Sequence, residues 1–306
     1  MTARIRFLGI TILIALGVAA CGKNSEPVQD ARPSPPRADG APQSATSADG
    51  VDIAYRVYGA GEPAVILIHC WSCDSNYWSA QIEPLKARYT TVTLDLAGHG
   101  ASGRNRTEWS IGHYGEDVAA VARRLQNDRV ILVAHSMGGP VALEAARRIG
   151  DRVIGIVAVD TLQTVGLPPV SEREVQMRLK PFREDFIRHT RAFVSHNFFP
   201  RNSNPEFIRK IADDMSSAPP EVAVPSLEAL MRMDYGPLLA NVHVPVVAID
   251  ASNSGAVDQA RIQKLLPTFT AVTLPGTGHF LMLETPERFN PILLREIESI
   301  AKGSHR

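Results

Sequence analysis

The chain has 306 residues, of which 44% are hydrophobic, and its 32 lysines and arginines balance its 32 aspartates and glutamates. This composition describes a neutral globular protein with a large core and argues against a basic nucleic-acid-binding protein. We therefore expect no nucleic-acid partner. Alternating strand-like and helix-like segments along most of the chain favour one main α/β domain.

The N-terminus has the features of a bacterial lipoprotein signal. Two arginines precede the apolar stretch 7–20, which is shorter than the roughly 20 residues of a membrane-spanning helix and suits a signal peptide. Small residues then precede Cys21, which resembles a site of cleavage and lipidation. We expect residues 1–20 to be a signal peptide and Cys21 to carry lipid, which would anchor the protein to a membrane of the bacterial cell envelope, facing the periplasm or the exterior. An ordinary secretory signal with an unrelated cysteine is the alternative.

Residues 21–49 differ in composition from the rest of the chain. They are rich in Pro, Ser, Ala and Asp, and Val28 is their only large apolar residue. Because such a segment buries too little surface to offset the entropy lost on ordering, we expect a disordered linker. The folded domain is then predicted over residues 50–306.

Short Val/Ile/Leu-rich runs recur along this domain and alternate with helical patterns. Runs with little polar alternation are typical of strands covered by helices on both faces, so they predict a doubly wound, mostly parallel sheet. The predicted strands are Val51–Tyr58, Ala64–His69, Thr90–Asp95, Val130–Ala134, Val153–Asp160, Pro245–Asp250 and Ala271–Leu274. The predicted helices are Ser79–Arg88, His113–Gln126, Met137–Arg148 and Ala260–Leu265.

The alternation stops over about 161–243, where charged, amphipathic helical segments follow one another (171–196, 205–216 and 224–233). We expect a helical cap inserted after the sixth core strand, at the end of the sheet where sites form. The last helix has two possible starts, because Pro291 would break a helix that begins at Pro286 and Asn290 is the alternative start.

Ser136 lies between a predicted buried strand and a predicted helix, in the pattern A-x-S-x-G formed with Ala134 and Gly138. A serine at such a sharp turn exposes its hydroxyl above the sheet, which is the arrangement of a catalytic nucleophile. A simple helix N-cap is the alternative.

A serine nucleophile needs a general base, which in this type of fold comes last in the chain order Ser, acid, His. Of the nine histidines, His279 alone lies in a Gly-rich loop after the last predicted strand. We therefore predict that His279 is the base.

Four stretches in this order resemble the α/β-hydrolase superfamily of the serine esterase type. They are "LIHCWSCDSNYW" (67–78), "LDLAGHGASG" (94–103), "VAHSMGG" (133–139) and "GTGHFLMLETPERF" (276–289). The resemblance implies the α/β-hydrolase fold, with Ser136 as nucleophile and His279 as base. Epoxide hydrolases and haloalkane dehalogenases of this superfamily carry Asp in place of the serine, which argues against both activities.

The resemblance leaves two candidates for the acid. The family's usual position falls near Asn253 or Ser254, and neither residue ionises. Some relatives carry the acid at the end of the preceding core strand, where this chain has Asp160. We therefore predict Asp160 and keep Asp250 as the alternative.

By the same resemblance, the backbone N–H groups of Trp71 and Met137 form the oxyanion hole. Cys70 stands where the family usually has Gly, which puts the geometry of this loop in question. Cys70 and Cys73 form C-x-x-C, and a disulfide and two buried thiols are both open.

The sequence thus predicts a serine hydrolase that cleaves small carboxylic esters through an acyl-enzyme intermediate. A lactonase or a C–C bond hydrolase using the same residues, and a non-catalytic ligand-binding protein on this fold, are the alternatives. No metal-binding spacing is found, and we expect no metal or other cofactor.

Overall fold

A single sheet of eight strands forms the centre of the molecule. The computed structural model describes residues 39–255 and 257–303. The strands are β1 (Pro42–Thr46), β2 (Asp52–Tyr58), β3 (Ala64–Ile68), β4 (Thr90–Leu94), β5 (Val130–His135), β6 (Val153–Val159), β7 (Val246–Ala251) and β8 (Phe269–Leu274). Their order in the sheet is β1-β2-β4-β3-β5-β6-β7-β8. The pairs from β4 to β8 are parallel, and β1 and β2 pair antiparallel at one edge. All seven predicted strands and the mostly parallel α/β sheet are therefore confirmed.

The central strands explain why their sequences lack polar alternation. Every residue of β3, β4, β5 and β7 is buried, because helices cover both faces of a parallel sheet of this kind. Parallel register brings Ala134, near the end of β5, beside Ala158 of β6. The carboxyl ends of neighbouring strands therefore meet at one edge, where a site can form.

Eleven α-helices are found in the described part of the chain. Outside the cap they are α1 (Ser79–Lys86), α2 (Ile111–Arg123), α3 (Gly138–Ile149), α9 (Gln259–Gln263), α10 (Leu281–Glu284) and α11 (Pro286–Ala301). In the cap they are α4 (Glu172–Glu184), α5 (Phe186–Asn197), α6 (Pro205–Ser216), α7 (Pro220–Met231) and α8 (Tyr235–Leu239). Helix α1 packs against α11, and α2 packs against α3. None of these helices is long and apolar enough to cross a membrane.

Five helices between β6 and β7 occupy the segment predicted as a cap. The predicted continuous helix over 171–196 is two helices, because Asp185 ends α4 and accepts the backbone N–H of Arg188 as the N-cap of α5. The short helix α8 was not predicted. Its five residues are too few to show a helical period.

The predicted linker is wrong at its C-terminal end. Residues Pro42–Thr46 form β1, and Ala45 is buried there opposite Ile53 of β2. This edge strand has only small apolar side chains, so its order comes from backbone hydrogen bonds to β2 rather than from a hydrophobic pattern. The predicted signal peptide, Cys21 and the remainder of the predicted linker up to residue 38 lie outside the described residues.

The structure also shows which of the two predicted starts the last helix has. Helix α11 begins at Pro286 and continues through Pro291, so the alternative start at Asn290 is wrong. Proline removes one backbone hydrogen bond, but a stripe of buried residues holds the helix against the core on both sides of it. That stripe consists of Phe289, Leu293, Ile297 and Ile300.

Candidate active site

Ser136 lies at a tight turn between β5 and α3. Its φ angle is 53°, a left-handed conformation that is uncommon for a residue other than glycine. The backbone N–H of Ser136 donates to Val159 O at 3.1 Å, and the Thr161 hydroxyl donates to Ser136 O at 2.7 Å. The neighbouring strand β6 and the residues after it therefore hold this strained turn from both sides.

The turn needs a glycine at position 138. A Cβ atom there would lie 2.9 Å from the carbonyl oxygens of both Ile68 and His69, which belong to backbone and cannot rotate away. Helix α3 therefore begins in close contact with the end of β3. This contact also brings the loop that begins at His69 next to the turn of Ser136.

His279 contacts Asp160 and not Asp250. The Nδ1 atom of His279 lies 2.5 Å from Asp160 Oδ2. Asp160 is 1% exposed, and its other oxygen, Oδ1, accepts the backbone N–H of Ala251 at 2.9 Å. Of the two sequence candidates for the acid, Asp160 is thus the one with the required geometry.

Asp250 is buried beside Asp160 without a hydrogen-bond partner. Neither of its carboxyl oxygens has a partner among the described residues. Burial, together with the negative charge of Asp160, raises the pKa of Asp250 to about 8, so its side chain is mostly neutral at pH 7.

Ser254 is a contributor that the sequence did not reveal. Its hydroxyl donates to Asp160 Oδ2 at 2.5 Å. Ser254 occupies a position where the resemblance places the usual acid, and here it binds the acid that comes from β6 instead. The weak signal in the sequence was that a short polar residue follows the end of β7 at this point.

Ser136, Asp160 and His279 line one cavity, which has a volume of about 530 Å³. A volume of this size is typical of a small-molecule site. No hydrogen bond joins Ser136 Oγ to the His279 ring in the part of the chain that the structure describes. Such bonds are often long in an unliganded enzyme and shorten when substrate binds.

The predicted oxyanion-hole residues do not line this cavity. Met137 directly follows Ser136 and is fully buried, and Trp71 is 4% exposed. The Trp71 side chain points into the cap, where its Nε1–H donates to Ala223 O at 2.7 Å. The role of these two backbone N–H groups as an oxyanion hole stays a prediction.

The question of the two cysteines has a structural answer. Cys70 and Cys73 form a disulfide, with their Cα atoms 5.3 Å apart. The bond closes the loop that carries Trp71, and Ser72 within it has a φ angle of 55°. The disulfide therefore restrains the backbone at the position where the family usually has a flexible glycine.

A buried histidine of the sheet forms a hydrogen bond with the backbone of the loop that carries His279. His135, the last residue of β5, lies 2.8 Å through its Nε2 from His279 O. Burial lowers the pKa of His135 well below its usual value, so its ring is neutral and its Nε2–H donates this bond. The residue before the predicted nucleophile thus holds the loop of the predicted base.

Within residues 39–255 and 257–303, no group of three or more His, Cys, Asp or Glu side chains has the arrangement of a metal site.

A sequence model of the alpha/beta hydrolase family matches residues 65–292, which is most of the chain. This chain belongs to the alpha/beta hydrolase family. The match extends from β3 into α11 and includes every candidate site residue of the described domain.

Curated relatives of this alpha/beta hydrolase include enzymes that act on different substrates. A 3-oxoadipate enol-lactonase of Acinetobacter baylyi is 25% identical over 250 residues, covering 80% of this chain and 92% of the relative. A 2-(acetamidomethylene)succinate hydrolase of Mesorhizobium japonicum is 24% identical over 248 residues, covering 78% of this chain and 88% of the relative. Among solved structures, a thermophilic esterase from Thermogutta terrifontis has a TM-score of 0.74 at 24% identity. That alignment covers 85% of this chain and 99% of the esterase and supports the fold.

Proposed function

We propose that this alpha/beta hydrolase cleaves small carboxylic esters through an acyl-enzyme intermediate. The observation that carries the proposal is the contact between His279 Nδ1 and Asp160 in a cavity that Ser136 also lines. A serine at a strained turn, an imidazole and a buried carboxylate are the three groups that this chemistry requires.

In the proposed reaction, Ser136 Oγ attacks the ester carbonyl carbon while His279 Nε2 takes the hydroxyl proton. Asp160 keeps Nδ1 protonated and stabilises the imidazolium ion that forms. The tetrahedral intermediate collapses, and the imidazolium gives its proton to the leaving alcohol. Water then attacks the acyl-enzyme with His279 as base, which releases the carboxylic acid and restores Ser136.

The lining of the cavity supports an acyl group of moderate size. About half of the lining side chains are apolar, and most of these come from the loop after β6 and from the cap. Examples are Leu162, Val170, Met231, Met233 and Leu265. Because apolar walls bind acyl chains by burial, affinity should rise with chain length until the cavity is full.

A serine-directed probe tests this proposal. We expect a fluorophosphonate to label the wild-type protein and Ser44→Ala, a control at an exposed serine on β1, but not Ser136→Ala. On a panel of esters with increasing acyl length, Ser136→Ala should lose roughly 10⁴-fold or more in kcat. A folded wild-type protein that neither reacts with the probe nor hydrolyses any ester would favour the non-catalytic ligand-binding alternative.

Lactone hydrolysis is a second candidate, favoured by the similarity to an enol-lactonase. A lactone is a cyclic ester, so the same three groups would open it. Adding γ- and δ-lactones to the panel distinguishes the candidates, because a lactonase should show a higher kcat/KM for the ring than for the matching open ester.

We also propose that the protein is anchored through lipid on Cys21 in the bacterial cell envelope. The apolar stretch 7–20 before this cysteine motivates the proposal, and the disulfide between Cys70 and Cys73 is in keeping with an oxidising compartment. The mass of the mature N-terminal peptide tests it. An unmodified Cys21, or cleavage at another residue, would contradict the anchor.

A further inference from the structure

The ring of His279 lies against an aromatic side chain of the cap. Phe198, the residue after α5, lies with its ring centroid 4.3 Å from that of His279, and the two planes differ by 31°. The backbone N–H of His279 also donates to Phe198 O at 2.7 Å. Phe198 therefore contacts both the backbone and the side chain of the proposed base, and it lines the cavity as well.

This contact supplies a restraint that the other neighbours of His279 do not. The bond from Nδ1 to Asp160 fixes one atom of the imidazole but leaves the ring free to tilt about that atom. The His135 ring lies 4.5 Å from the His279 ring between centroids with the planes 44° apart, and the Phe280 ring lies 5.3 Å away with the planes 76° apart, so both contacts are less parallel. Phe198 is thus the neighbour that holds the plane of the ring.

The charged side chains of Arg178 and Asp234 in the cap line the same cavity, and three titratable groups of the core lie next to His279. They are Asp160 at the end of β6, the neutral His135 of β5 and Glu284 of α10. Burial raises the pKa of Glu284, whose Oε2 accepts the backbone N–H of Gly278. Against these groups, the cap places an aromatic face on His279. An aromatic face attracts a cation, so it favours the imidazolium form that arises during the proposed reaction.

We propose that Phe198 is a positioning residue that acts through His279, holding the imidazole plane towards Ser136 and stabilising its protonated form. This inference rests on the proposed function of His279 as the base. It also makes the cap a functional part of the site, because the residue that orients the base belongs to the cap.

The test compares removal of the ring with its retention. Phe198→Leu removes the aromatic face and keeps an apolar side chain and the backbone carbonyl, and Phe198→Tyr keeps the face. Phe207→Leu is the matched control, since Phe207 is another half-buried cap phenylalanine, whose ring contacts Phe199 edge-to-face and makes no ring contact with His279. Should Phe198→Leu fail to fold, Phe198→Met provides the same comparison with a more adaptable side chain.

We expect kcat/KM on the best ester to fall about 3- to 10-fold in Phe198→Leu, and the acid limb of its pH profile to move to lower pH by about half a unit. Phe198→Tyr should restore both properties, and Phe207→Leu should change neither. The proposal is overturned when Phe198→Leu keeps the wild-type acid limb, or loses no more activity than Phe207→Leu.

A readout that does not depend on turnover separates this inference from the proposed function. The ring protons of His279 are followed by NMR against pH and assigned by their loss in His279→Asn. The midpoint of this titration should move to lower pH in Phe198→Leu and stay in place in Phe207→Leu, even for a protein without esterase activity. An unchanged midpoint in Phe198→Leu contradicts the inference while leaving the proposed function intact.

Discussion

The two sides of the candidate site are held by different parts of the molecule. Ser136 and Asp160 are fixed by the core, through Val159 O and the backbone N–H of Ala251. His279 and Trp71 are instead each bonded to the cap, through the carbonyl oxygens of Phe198 and Ala223. The proposed nucleophile and acid are therefore held by the sheet, while the proposed base and the predicted oxyanion donor depend in part on the cap.

This difference separates the consequences of mutation in the two regions. Core contacts are close-packed and made by backbone, so a change there has few ways to relax and should be costly. Each of the two cap contacts is a single hydrogen bond from a loop residue, so changes there should alter kinetics with a smaller loss of stability.

The largest expected effect concerns Asp160 and Asp250, the two carboxyl groups on the core side of the candidate site. Asp160→Asn should lower kcat by about 10⁴-fold, because the amide no longer stabilises the imidazolium or fixes its tautomer. Asp250→Asn should stay within a few-fold of wild type, since its carboxyl is largely neutral at pH 7 and an amide has a similar shape. Steady-state kinetics at pH 7 on the best ester measures both. Equal losses in the two variants would contradict the assignment of Asp160.

A second, intermediate effect tests the close packing at the turn of Ser136. Gly138→Ala should lower the free energy of unfolding by about 1–3 kcal/mol, because the new methyl group meets the carbonyl oxygens of Ile68 and His69. Gly112→Ala in α2 is the control, since the nearest atom to its new Cβ, Nη2 of Arg148, is 3.5 Å away, an ordinary contact. That control should gain up to about 1 kcal/mol, as alanine is the better helix former.

Urea unfolding measures both glycine variants. A loss of stability in Gly112→Ala as large as that in Gly138→Ala would show that close packing at the turn is not the cause.

The smallest expected effect tests the cap side. Trp71→Phe removes the hydrogen bond to Ala223 O and should cost about 1 kcal/mol in the free energy of unfolding, together with a modest fall in kcat. Trp78→Phe is the matched control for stability, because Trp78 is fully buried and its Nε1–H has no partner among the described residues. Urea unfolding of both variants gives the comparison. A Trp71→Phe variant no less stable than Trp78→Phe would remove the evidence that this bond holds the cap to the loop.

Prediction from the sequence succeeded where neighbouring residues set the structure. The buried strands, the turn at Ser136 and the helix after it depend on side-chain patterns within a few residues, so the sequence revealed them. The edge strand β1 was not predicted, because its order depends on backbone hydrogen bonds to β2 and its side chains show little hydrophobic pattern. The alternative helix start at Asn290, which was based on Pro291, is wrong for a related reason: the tertiary packing of α11 outweighs the local cost of a proline.

By itself the sequence determined the class of fold, the serine at the turn and the candidate histidine. Only the tertiary structure decided that Asp160 rather than Asp250 contacts His279, that Ser254 binds this carboxylate, and that the Phe198 ring lies against the imidazole. The physical reason is distance along the chain. These contacts join residues 81 to 119 positions apart, and their geometry depends on how β6, β7, the cap and the last loop pack together.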